Sequence, residues 1–372
     1  MLAGIGIVIF VSLWSLLSAA DSGLAHNDEC QTPLGNQGRC LLVKECRYVL
    51  LLIHRSDFSI KDHLYLNNLG CGVQPGTRKP LVCCPEFRNA DECGRLTLLD
   101  NIVGGQETEP DEYPWTVLLV YEKAGRTQYR CGGTLINDRY VVTAAHCVAD
   151  IGHVRLKAAR LGEWDITTQI DCKGSGDNKI YCNQFPHLDV PIDKVVVHEM
   201  YSEYTLNREH DIALLRLANP VTMTDSISPI CLPTSAMDKQ MKVEGEIFDV
   251  AGWGADDAFE TRSQRKKKVS LPGHNISVCD LAFAAAQVKF TENQLCVGGV
   301  AGKDSCRGDS GGPLMVIMEN RWHLAGVVSI GTVKCGQKGF PAIYTRLGSY
   351  LPWIAGRIEQ QSRLAAEPPE ES

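Results

Sequence analysis

Gly308-Asp309-Ser310-Gly311-Gly312-Pro313 is the stretch on which the reading of this chain turns. A serine framed by glycines is what nucleophilic catalysis requires. The hydroxyl must be exposed while backbone N–H groups converge beside it on a developing oxyanion. Glycine permits both the tight turn and the close approach of a substrate. Alone, the hexapeptide is also compatible with an ordinary turn. Two upstream stretches remove that ambiguity. Thr143-Ala-Ala-His146-Cys147 sets a histidine among small residues, and Asp211-Ile-Ala-Leu214-Leu215 opens an apolar run with an aspartate. A carboxylate carried into an apolar run needs a charged or hydrogen-bonded partner. Histidine, aspartate and serine satisfy one another: Ser310 attacks, His146 takes its proton, and Asp211 holds the imidazole tautomer and stabilises the imidazolium.

Outward from these motifs the texture is all-β. From Ile102 onward, runs rich in β-branched and aromatic residues alternate with Gly, Asn and Asp turns. They include Trp115–Tyr121, Arg139–Thr143, Lys194–His198, Ile212–Leu217, Ile247–Ala251 and Val316–Ile330. Many short strands separated by turn signals point to a barrel or sandwich. Leu351, Ile354 and Ile358 have helical spacing, which predicts a terminal helix over 351–359. The polar, acidic residues 358–372 are expected to form a disordered tail. The basic run Arg265–Lys268 reads as a solvated loop or strand edge, with a self-cleavage site or an anion patch as alternatives.

The chain has 372 residues, 44% hydrophobic and 22% charged, with a formal net charge of -7. That balance argues against nucleic acid as the main partner. Residues 1–20 read as a cleaved signal peptide, apolar from Leu2 to Leu17 and ending in Ser18-Ala19-Ala20, though without a basic n-region. The apolar run is too short to span a bilayer, so the expected product is exported and not anchored in a membrane. Sixteen cysteines suit an oxidising compartment and could close eight disulfides. Zinc-type C-x₂-C pairs are missing. Cys30, Cys40, Cys46, Cys71, Cys83 and Cys84 crowd one short segment that needs covalent staples; their spacing alone leaves fifteen pairings open.

The order His, Asp, Ser, together with Ile102-Val-Gly-Gly105 and the three motifs quoted above, resembles the chymotrypsin/trypsin family. The resemblance covers 102–357 and implies two six-stranded β-barrels, with a C-terminal helix and the active site in the cleft between barrels. The cysteine-rich segment 30–84, with its adjacent Cys83-Cys84, is similar to the clip domain of arthropod clip-domain serine proteases. Residues 85–101 then form a linker and activation segment. The two resemblances imply the pairs Cys30–Cys83, Cys40–Cys71, Cys46–Cys84, Cys93–Cys231, Cys131–Cys147, Cys172–Cys182, Cys279–Cys296 and Cys306–Cys335.

The resemblance also assigns roles. Asp304 matches the base of a primary specificity pocket that accepts Arg or Lys. Gly331 matches a pocket-wall glycine, and Ser329 a residue that pairs with backbone and with Asp211. Ala342 stands where relatives carry glycine. The N–H groups of Gly308 and Ser310 form the oxyanion hole. Cleavage before Ile102 frees an amine that pairs with Asp309, but the residue before the cut is Asn101 instead of the usual Arg or Lys. No cofactor is required, although Glu163 sits where some relatives ligate a structural calcium. Asn275-Ile-Ser277 is a glycosylation sequon. The implied partners are protein substrates such as a downstream protease zymogen, prophenoloxidase or a cytokine precursor, an upstream activating protease, and serpin inhibitors. The expected function is thus a secreted, extracellular serine endopeptidase zymogen of an innate immune or Toll-type cascade. The alternative is a catalytically silent clip-domain cofactor or scaffold, a reading that the intact Ser310 disfavours.

Overall fold

The computed structural model describes residues 23–54, 58–96, 106–174, 180–256, 261–331 and 335–366. The leader at 1–20, the Asn101–Ile102 bond and residues 367–372 lie outside the described residues. The chain divides into two compact units, Met1–Arg88 with Pro352–Ser372, and Asn89–Leu351.

The larger unit contains two barrels. The first closes through the strands Leu188–Val197, Ala213–Leu217, Tyr140–Thr143, Arg126–Leu135, Thr116–Lys123 and Arg155–Leu161. The second runs through Ile247–Gly252, Pro313–Met318, Arg321–Ile330, Pro341–Arg346, Gln294–Gly298 and Lys267–His274. It closes where Ile247–Gly252 pairs antiparallel with Lys267–His274. Residues sharing one sheet face fill each barrel: Leu119, Leu135, Val141, Leu161 and Leu215 in the first, Phe248, Leu271, Val297, Leu314 and Tyr344 in the second, all essentially inaccessible. Closure removes the free edges of the six strands of the first barrel. Across the seam, the Gly132 N–H donates to the Ser310 carbonyl at 2.8 Å and the Trp115 indole N–H lies 3.0 Å from the Met315 sulfur.

Two features of this unit depart from the sequence reading. The run Val316–Ile330 is part of a hairpin that turns at Glu319 and Asn320, whose φ values of 49° and 58° suit a type I′ turn. The basic run is no solvated patch. Lys266 and Lys268 are 2% and 7% exposed. The Lys266 ammonium donates to Thr116 Oγ1 at 3.2 Å and lies over the Trp253 ring, and burial pulls it down to about 8. Lys268 pairs with Glu112, and Arg265 with Asp165 at 2.9 Å. The short strand Gln106–Glu107 adds to the Lys267–Lys268 edge. Lysines buried at the start of a strand are tolerated only because partners distant in sequence meet them.

The smaller unit has a four-stranded sheet in the order Glu29–Gln31, Gln37–Leu42, Lys79–Pro85, Gly70–Gln74, with helices Arg47–Ile53 and Ile60–Asn68. Ser59 and Asp62 cap the second helix reciprocally. Cys30–Cys83, Cys40–Cys71 and Cys46–Cys84 staple it. The terminal helix runs Leu351–Ala366, which corrects the expectation of a disordered tail from 358. Its polar residues are ordered because they are paired within this unit. Glu359 accepts from Tyr65 Oη and from Asn36 Nδ2, and Arg363 meets the buried Asp62 at 2.6 Å and lies over the Tyr65 ring.

Candidate active site

Each reactive side chain sits at a strand end on the seam between barrels. His146 lies in the one-turn helix that follows the Tyr140–Thr143 strand, and Asp211 just precedes Ala213–Leu217. Those two strands pair, Ala213 opposite Thr143, so the two residues meet. Asp211 is fully buried. Its Oδ2 accepts from His146 Nδ1 at 2.7 Å and from Ser329 Oγ at 2.5 Å, and its Oδ1 accepts from the His146 backbone N–H at 2.9 Å. Burial pushes the Asp211 carboxyl up, but the charge and hydrogen bonds of His146 and the Ser329 hydroxyl prevail and hold it below its ordinary range. Thr345, which the sequence reading missed, donates its hydroxyl to the Asp211 carbonyl at 2.9 Å.

Ser310 occupies the turn before Pro313–Met318. The Gly132 bond to its carbonyl, a Gly312 N–H bond to the Asp309 carbonyl, and a Gly311 N–H bond to Val328 fix that turn. Gly311 has φ +77°, and a Cβ there would stand 2.2 Å from Thr143 Oγ1, so only glycine fits. Gly308 has φ +108°. Among the described residues, neither the Gly308 nor the Ser310 N–H has an intramolecular acceptor. Ser310 makes no hydrogen bond to His146, and such contacts commonly tighten only around a substrate. The arrangement places a carboxylate-oriented histidine and a glycine-framed serine on the same seam.

Asp304 and Asp309 flank this turn. Asp304 Oδ2 accepts the Gly336 N–H at 3.1 Å. Asp304 Oδ1 and the Ala342 backbone N both lie within 4 Å of the point a Cβ on Gly298 would occupy. Ala342 is buried, Ser329 is buried, and Gly331 is exposed with open space beside it. Asp309 Oδ1 accepts from the Gly254 N–H at 2.7 Å and Oδ2 from the Cys306 N–H at 2.9 Å. Burial pushes its carboxyl up, opposed by those two bonds and by the charge of Arg262. A cavity of about 200 Å³ opens beside it, lined by Gly252, Gly254, Val269, Asp304 and Asp309 among others.

Five disulfides lie in this unit: Cys93–Cys231, Cys131–Cys147, Cys172–Cys182, Cys279–Cys296 and Cys306–Cys335. Glu163, fully buried, accepts from the Trp164 N–H and from Arg160, each at 3.0 Å. Asp171 accepts from the same N–H at 2.8 Å. Burial and the Asp171 charge push Glu163 up to about 7 against the pull of Arg160. The nearby Asn183 is 5% exposed, and its side-chain amide has no hydrogen-bond partner. Asn275 is exposed and caps the Ile276–Ala282 helix through Ser277.

The trypsin family model matches residues 102–354, and that of the regulatory CLIP domain of proteinases matches residues 30–84. The chain is 40% identical over 353 residues to CLIP domain-containing serine protease B15 of Anopheles gambiae, covering 94% of this chain and 95% of that one. It is 37% identical over 360 residues to serine protease ea of Drosophila melanogaster, covering 89% and 91%. The crystal structure of the Drosophila Grass clip serine protease of the Toll pathway aligns with a TM-score of 0.64 at 32% identity, covering 90% of this chain and 98% of that one. With the double barrel, the His146–Asp211 pair on its seam and these matches in agreement, the chain belongs to the trypsin family, as a trypsin-like serine endopeptidase of its clip-domain branch.

Proposed function

We propose that this chain is a secreted zymogen, cut between Asn101 and Ile102, that cleaves extracellular proteins after Arg or Lys. In this reading Ser310 is the nucleophile, His146 the base and Asp211 its orienting partner. Gly308 and Ser310 supply the oxyanion hole, and Asp304 receives the substrate's cation, with Ser329, Gly331 and Ala342 lining the way. The observation that carries activation is the cavity beside Asp309. A buried carboxylate facing a void has room for an isoleucine side chain and need of its ammonium, which exists only after the cut. Relatives with 35–37% identity are named Spaetzle-processing enzyme, melanization protease 1 and phenoloxidase-activating factor 1. Such names support substrates that are themselves precursors, an upstream activating protease, and serpins as inhibitors. The Cys93–Cys231 disulfide would keep residues before Asn101 attached after the cut. The described residues include no helix long and apolar enough to cross a membrane. Glycosylation at the exposed Asn275 fits the same route.

A calcium ion fits the Glu163 loop in its donor set: two buried carboxylates that share one N–H, and the unpartnered amide of Asn183. Glu163, Asp171 and Asn183 would hold it in competition with Arg160, and it would steady the loop and take no part in the chemistry.

The test of activation uses Asn101. An Arg-specific activator would leave its own pocket carboxylate unpaired against Asn, a mismatch worth about 10⁴-fold. Wild-type and Asn101→Arg zymogens are treated with trypsin, new amino termini are sequenced, and hydrolysis of Arg, Lys and Phe substrates is measured. The variant should yield an Ile102 terminus and activity on Arg and Lys, while wild type resists. Equal activation of both, or preference for Phe, overturns the corresponding assignment.

A further inference from the structure

Arg262 has no role in the reading above, yet its guanidinium is drawn inward to the catalytic turn. It ends the small hairpin Ala255–Asp256 with Thr261–Arg262. Nη1 donates to the Trp253 carbonyl at 3.2 Å. Nη2 stands 2.8 Å from the position a Cβ on Gly308 would take, so the guanidinium packs against the Gly308 backbone. Arg262 does not line the cavity beside Asp309; it approaches from the Gly308 side. Burial draws its pKa down, opposed first by the Asp309 charge and then by Tyr121. Arginine stays charged in such a place, so a permanent cation is held against the Gly308 backbone without any cut.

The consequence concerns order in the uncut chain. Gly308 and Asp309 directly precede the nucleophile Ser310, so whatever restrains them restrains the turn. Two backbone N–H groups hold the Asp309 carboxylate, and the guanidinium, anchored to the Trp253 carbonyl and packed on Gly308, restrains the same turn from the other side. We propose that Arg262 is a positioning residue that holds the Gly308–Ser310 turn in its oxyanion-binding arrangement before cleavage, so the single-chain protein already turns over substrate. The inference rests on the reading that Asp309 later receives the Ile102 ammonium. Once that ammonium arrives, Arg262 becomes partly redundant.

The experiment compares full-length parent, Arg262→Ala, Arg262→Met and Arg262→Lys, each uncut and each cut at Ile102 in the Asn101→Arg background. The readouts are labelling by a fluorophosphonate and kcat and KM on an Arg substrate. In the uncut form the Ala and Met variants should label about tenfold more slowly, a fraction of what losing an oxyanion donor costs. The loss should fall on kcat with KM held, and Lys should restore most of it. In the cut form all four should agree within about threefold. Uncut parent that fails to label, labelling of uncut parent and Met variant at one rate, or an equal defect before and after the cut each overturn the inference. If Arg262→Ala does not fold, the Met and Lys pair decides. A cut parent that is inert overturns the protease assignment itself, which separates that failure from this one.

Discussion

Gly254→Ala tests the geometry around Asp309 with a single methyl group. Gly254 has no positive φ, so alanine adds no backbone strain there. The new Cβ would stand 2.1 Å from Asp309 Oδ2 and 2.5 Å from its Cγ. Ordinary contacts need about 3.5 Å, so the carboxylate must retreat by more than about 1 Å. It is not a free side-chain end: it is buried and holds the Gly254 and Cys306 N–H groups at 2.7 and 2.9 Å. Each of those charge-assisted bonds is worth about 1.5–3 kcal/mol, which sets the penalty at roughly 3–6 kcal/mol. If the catalytic turn bears even the lower figure, kcat/KM falls by about 150-fold. The assay is kcat/KM on an Arg substrate after cutting at Ile102 in the Asn101→Arg background, beside a thermal melt. Gly174→Ala is the control, since nothing lies within 4 Å of its added Cβ. Activity within threefold of the parent with an unchanged melt would refute the reasoning.

Three further outcomes are expected. Glu163 binds its proton more tightly folded (about 7) than in an unfolded chain (~4.3), so its stabilising contribution is present at low pH and fades as pH rises through 7. Denaturant titrations in EDTA should show Glu163→Gln gaining about 3 kcal/mol on wild type between pH 4.5 and 7.5, and parallel curves would contradict the assignment. Arg363→Met strands the buried Asp62 and should cost the smaller unit about 3 kcal/mol, read as faster proteolysis within residues 23–88; an unaltered rate counts against the pairing. Asp304→Asn should lower kcat/KM on Arg substrates by about 10²–10⁴ while sparing slow cleavage after Phe, and a loss under tenfold would remove Asp304 from the pocket.

What could be read beforehand followed from how local each signal was. The His146, Asp211 and Ser310 motifs were legible because nucleophile, base and orienter each need particular neighbours within a few residues. The strands rich in Val and Ile were legible from composition, whereas Lys267–His274 was not. Its lysines resemble a solvated edge until Glu112, Thr116 and Trp253 are brought to them from remote positions. The hairpin turn at Glu319–Asn320 was lost inside one apolar run, since a two-residue turn leaves little trace. Residues 358–366 read as polar tail because Glu359 and Arg363 find Tyr65 and Asp62 some 300 positions earlier. The guanidinium of Arg262 carries no sequence signal at all; only the fold places it against Gly308.

The division of the chain has a consequence for biosynthesis. The smaller unit is built from residues before Arg88 and after Pro352, so its last helix emerges only when the intervening ~260 residues have been made. At a ribosomal pace of about 5–20 residues per second, that interval is tens of seconds. During it, Asp62 and Tyr65 wait without Arg363 and Glu359, and the three cystines of residues 30–84 can close on an incomplete core. A chain truncated before Pro352 would therefore leave an early-made segment permanently unfinished. Quality control would meet a defect in the early-made segment whose cause lies at the other end of the chain.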